Sequence, residues 1–132
     1  MGPNDELRRI ATGLVENCRN GADEANLDAF YAEDAVSVEA LAPPGESRIS
    51  NGLAAIREKH AWWRETMEEL PTDLAREQMA EGPFYHGEDR FSVVFRAKAR
   101  NRQTGEILDM LEVAVYTVQD GRISREEFFY SA

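Results

Sequence analysis

The sequence predicts an α+β domain, and three observations carry that prediction. Apolar residues recur at helical spacing through most of the first half. Alternating segments separated by turn signals fill the second half. The last two segments, 107–118 and 123–130, are joined by Gln119-Asp120-Gly121-Arg122, whose Asp-Gly pair marks a tight hairpin turn. Helices first and strands after is the order of α+β folds, with helices packed on one face of an antiparallel sheet.

The first helix rests on Leu7, Ile10, Ala11, Leu14, Val15 and Cys18, and Asn20-Gly21 stops it. Cys18 closes that stripe and reads as a buried structural thiol, because it lies on the apolar face of the helix. A short second helix is capped by Asp23 and buries Leu27, Phe30 and Tyr31. Over 35–41 the period drops to two, with Val36 and Val38 on one side and Ser37 and Glu39 on the other, which predicts a strand. Pro43-Pro44-Gly45 ends it, and a polar loop runs to Asn51-Gly52. A long helix is expected from Leu53 to Glu69. Leu53, Ile56, His60, Trp63, Met67 and Leu70 lie on its inner face, and Pro71 stops it. Trp62, adjacent to Trp63, points about 100° away; core packing is the default for either ring. A weak strand is expected over 74–80. Phe91, Val93, Phe95 and Ala97 then alternate with Arg90, Ser92, Val94 and Arg96, and Asn101–Gly105 is a polar hairpin loop.

At 132 residues the chain has room for one domain, 1–132, with one core. Fifteen Lys and Arg against 25 Asp and Glu leave a net charge of −10. That field repels nucleic acid and anionic membrane surfaces, so neither is expected as a partner. No apolar run reaches the length of a membrane span, and 1–6 has neither the basic nor the apolar region of a signal peptide. A lone cysteine gives no internal disulfide, and a cytoplasmic location is expected. There is no metal-ligand spacing, no phosphate-cradling glycine loop and no G-x-S-x-G elbow.

Three stretches resemble the nuclear transport factor-2-like superfamily, and within it the SnoaL-like polyketide cyclases and ketosteroid isomerases. They are Leu27 to Val36 (LDAFYAEDAV), Asn51 to Arg57 (NGLAAIR), and Val115 to Ile123 (VYTVQDGRI) followed by Glu126 to Tyr130 (EEFFY). The resemblance implies a cone: a curved antiparallel sheet wrapped around the long helix, N-terminal helices on one face, and an apolar ligand in the mouth. It implies no cofactor, and a homodimer through the outer sheet face. Steroid-isomerising relatives use a carboxylate base with a tyrosine and a protonated acid as oxyanion hole. A gap-free match puts the base at Glu39. The tyrosine position falls near Val15, and the neutral-acid position near Ala114, with Glu112 one step away on the same face.

The expected partner is therefore a small apolar or aromatic molecule, held for cofactor-free acid–base chemistry or bound without turnover. Glu39, Glu112 and His86 are the candidate catalytic residues. His86, at a strand-to-turn junction, either reaches the mouth and pairs with a carboxylate, where its imidazole suits proton transfer at neutral pH, or is an exposed turn residue. Tyr31, His60, Trp63, Met67 and Phe91 are expected to line the ligand site. Tyr116, Glu126, Phe128 and Tyr130 join them if the strand phase they share with Glu112 faces the cone. With the opposite phase, these acids are solvated. Glu112 is expected inward because Tyr116 and Val118 lie on its side. The metal expectation is none.

Overall fold

The computed structural model describes residues 2–131. Helix α1 (Asp5–Arg19) starts where the Asn4 side chain accepts the Leu7 N–H at 2.8 Å. It buries Leu7, Ile10, Ala11, Leu14 and Val15 against β4 (Ala80–His86) and β5 (Arg90–Asn101). Each of the larger side chains contributes roughly 1.5–3 kcal/mol of burial. Helix α2 (Ala25–Phe30) leads straight into β1 (Tyr31–Val38). Tyr31 is therefore the first strand residue and not the last helical one. Strand β2 (Ile49–Asn51) pairs back on β1, where the sequence suggested only a loop. Helix α3 spans Leu53–Thr66.

That helix is shorter than its apolar stripe predicts. Met67–Glu69 forms β3, pairing with Ala99, Arg100 and Asn101 of β5. Met67 is buried as predicted, but from a strand. Trp62 and Trp63 are both exposed, so neither packs in the core. The segment expected as a weak strand is the short helix α4 (Arg76–Met79), and β4 begins only at Ala80.

The seven strands form one strongly curved sheet in the order β2-β1-β7-β6-β5-β3, with β4 also pairing β5. Strands β6 (Ile107–Gln119) and β7 (Arg122–Phe129) are the predicted closing hairpin. Its turn holds both Asp120 (φ 50°) and Gly121 (φ 77°) in the left-handed region, as a type I′ turn requires. All neighbours are antiparallel except β1 and β7, which run parallel and join the first strand to the last. Register shifts at β1/β7, β4/β5 and β6/β7 interrupt the ladders, and such bulges bend a sheet.

Cross-strand partners share a face, so the register settles the strand phase. One row runs Ser37–Glu126–Tyr116–Phe91 across β1, β7, β6 and β5. The next is Phe128–Ala114–Val93, and then Glu112–Phe95. Phe91, Val93, Ala114 and Tyr116 belong to the core cluster with α1, so this is the inner face. Glu112 and Glu126 thus point inward, in the phase that carries Tyr116 and Phe128.

Candidate functional site

The inner face becomes polar where β1, β6 and β7 meet α3. Alternation on β1 turns Ser37 and Glu39 to the same side. Ser37 is fully buried, although the valines beside it suggested the opposite side as the apolar one. Across from it Glu126 is 1% exposed. A carboxylate so deep needs donors, and Tyr31 hydroxyl donates to Glu126 Oε2. Among the described residues Glu126 Oε1 has no hydrogen-bond partner.

The cation of the cluster is Lys59, on the face of α3 three residues after buried Ile56. Its ammonium donates to Ser37 Oγ and to Glu39 Oε1 (2.8 Å), and stands 3.9 Å from Glu126 Oε1. It also lies 4.9 Å from the centroid of the Phe128 ring. Glu39 is completed by Tyr130, whose hydroxyl donates to Oε2 at 2.9 Å. Lys59 thus ties α3 to β1 and β7 through one charge.

Glu112 lies further out on β6. Its carboxyl is pushed up to about 7, chiefly by burial and then by the charge of Glu39, while Lys59 pulls the other way. Burial lowers His60, against the pull of Glu126, which favours the neutral imidazole. Burial and then the Glu126 charge hold both Tyr31 and Tyr116 well above the ordinary phenol range, so both stay protonated donors. Tyr130 is raised to about 12, by burial and then by its bond to Glu39. Tyr116 stacks on Phe91 with centroids 4.8 Å apart and seals the inner end of the cluster.

Not every expected residue joins this group. His86 sits on the opposite strand phase from core-packed Tyr85, exposed, with Nε2 2.8 Å from Ser92 Oγ. It faces away from the carboxylates, so the expected pairing with an acid is corrected. The register shift between Glu81 and Phe84 sets that phase, and it falls on Gly82-Pro83, a pair that breaks strand alternation. Trp63 is too exposed to line an enclosed site, and Met67 sits on β3 beside Asn101. Lys59 and Ser37 are the residues that sequence reasoning missed. Lys59 had a signal, its place between Ile56 and Trp63 on one helical face, but a lysine there reads as a solvated flank. Cys18 is raised to about 12, by burial first, as a structural thiol should be.

Two surface grooves of about 470 Å³ each are also present. One is lined by the 71–74 loop with Arg96 to Lys98 and Asp109 to Leu111; the other, lined by Asp28, Glu33, Arg57 and Arg122 among others, touches the cluster at Tyr31. Among the described residues no three His, Cys, Asp or Glu side chains are grouped to hold a metal ion, and no helix is long and apolar enough to cross a membrane.

The SnoaL-like domain family matches residues 8–130, and the chain belongs to that family. A protein of Mesorhizobium loti assigned to the SnoaL-like polyketide cyclases is 32% identical, with a TM-score of 0.82 over 94% of this chain and 98% of that one. An NTF2-like protein of Burkholderia xenovorans is 20% identical, with a TM-score of 0.68 over 94% and 88%. A Xanthomonas campestris protein with a cystatin-like fold is 18% identical, with a TM-score of 0.68 over 95% and 90%. The last two share the fold. No curated protein matches the chain.

Proposed function

We propose that the inner face binds a small apolar or aromatic molecule and moves a proton on it without a cofactor. The carrying observation is Glu112, an inward carboxyl raised to about 7. An acid so tuned is part protonated at neutral pH and can both give and accept a proton. Glu39 is the second candidate. Lys59 and Tyr130 each hold one of its oxygens, which fixes its orientation. Isomerisation, cyclisation and hydration all need a proton moved in this way. His86 has no part in this reading.

A second reading is binding without turnover. The positions matched to the isomerase oxyanion hole, Val15 and Ala114, are buried apolar residues in the core. The donors of that constellation are absent from those positions.

The test is a titration of binding against pH. A hydrophobic dye or a phenolic ligand should bind with a midpoint near the Glu112 value of about 7, and Glu112→Gln should abolish the dependence. Identical pH profiles for the two proteins would remove Glu112 from the site. If the pH dependence holds but no turnover is found across carbonyl and enol substrates, the binding-module reading stands.

A further inference from the structure

The inner face carries more negative charge than positive. Glu39, Glu112 and Glu126 point into it, and Lys59 supplies one ammonium in return. Burial favours the neutral form of His60, so it adds little. A low-dielectric face with surplus anionic charge favours a ligand that brings a cation.

Glu126 supplies an independent observation. Its Oε1 is buried and accepts no hydrogen bond among the described residues. Unsatisfied buried acceptors are rare because they are costly, and this one calls for a donor. Tyr31 is already committed to Oε2. Lys59 stands 3.9 Å from Oε1, beyond hydrogen-bond reach, because Ser37 and Glu39 hold it.

Lys59 also shows what the face accepts. Its ammonium is received by a carboxylate, a hydroxyl and the Phe128 ring together. Carboxylates beside an aromatic face are how proteins hold alkylammonium groups. The side chain is 24% exposed, so a ligand can reach the same surroundings. An anionic ligand would meet Glu39 and Glu126 with Lys59 already engaged.

We propose that the ligand is an organic cation, an ammonium group on an apolar or aromatic body, drawn to the inner face by the combined negative charge of Glu39, Glu112 and Glu126. This rests on the reading of the inner face as a ligand site, and it names the ligand class that the reading left open. The apolar body lies against the Phe128 and Tyr130 side. The ammonium adds a second positive charge beside Lys59 and offsets one of the two carboxylates that Lys59 leaves unbalanced.

The experiment is a charge series on one ring: benzylammonium, benzyl alcohol and benzoate. Each is titrated calorimetrically at mildly alkaline pH, where Glu112 is ionised. Benzylammonium should bind about tenfold or more tighter than the alcohol, and benzoate weakest. Glu112→Gln should cut the preference for the cation. Lys59→Met should raise it, because the ligand's ammonium can then reach Glu39 and Ser37 as well. A purely structural lysine would give loss of binding instead. If Lys59→Met does not fold, Glu112→Gln decides alone. Alcohol binding as tightly as amine overturns the cation assignment and leaves the ligand site standing. Benzoate binding tightest also overturns it, making Lys59 an anion anchor. If no member of the series binds the wild type, both the ligand site and its cation fall together.

Discussion

Glu112 sets the pH behaviour of the folded chain as well as of its site. Its carboxyl sits near 7 in the fold against 4.5 in a solvated glutamate. The folded state therefore holds a proton that the unfolded state has released between those values. Stability from this group is fully present below about 4.5 and is lost as pH rises through about 7. Glu112→Gln cannot ionise, so it should flatten that part of the stability curve. Relative to wild type it should gain on the order of 1–3 kcal/mol above neutral pH. Urea unfolding at acid and at mildly alkaline pH measures the difference; parallel curves for the two proteins would sink the assignment. Alternation put Glu112 and Glu126 on one strand phase but left open which way that phase faces, and Glu39 came from the gap-free match to isomerising relatives. The register across β5, β6 and β7 turns the two strand acids inward. Lys59 was not legible, because a lysine on a helix flank has no pattern that separates a buried head from a solvated one. His86 misled for a different reason: its phase depends on the bulge at Gly82-Pro83, which shifts the alternation between Glu81 and Phe84.

At the scale of elements, the closing hairpin was the clearest reading, since Asp120-Gly121 states its own turn geometry. Gly121 needs a positive φ, while the flexible, exposed Glu6 side chain that an added Cβ would meet can move aside. Gly121→Ala should cost about 1–2 kcal/mol, seen as a lower urea midpoint with unchanged slope. An unchanged midpoint would mean that the turn does not hold the register. The end of α3 was misread because the stripe Trp63, Met67, Leu70 continues the helical period past Thr66. What stops the helix is a partner far away, β5, which takes Met67–Glu69 as a strand. Strand β2 escaped notice for the same reason. Three residues have too little pattern of their own, and β1 makes them a strand.

For the whole molecule, the ordered sequence motifs gave the α+β cone, but the parallel pairing of β1 with β7 lay outside any local signal. The outer face of the sheet carries Val113 and Val115, half-buried, with Leu111 60% and Phe129 49% exposed. The homodimer expected through that face should show as twice the chain mass by light scattering, and Phe129→Lys with Leu111→Lys should halve it. A wild type that stays at one chain mass at high concentration would rule the dimer out.

The parallel closure of β1 on β7 also has a consequence for synthesis. Tyr130 follows Glu39 by 91 residues, and Glu126 follows Tyr31 by 95. At ribosomal speeds this is a wait of roughly 5–20 s. Through that interval one edge of β1 lies open, Tyr31 lacks Glu126 and Glu39 lacks Tyr130. An open strand edge recruits other chains, so the nascent protein is most prone to misassociation before β7 emerges. The charged cluster is thus a late checkpoint in biogenesis, completed only when the final strand arrives.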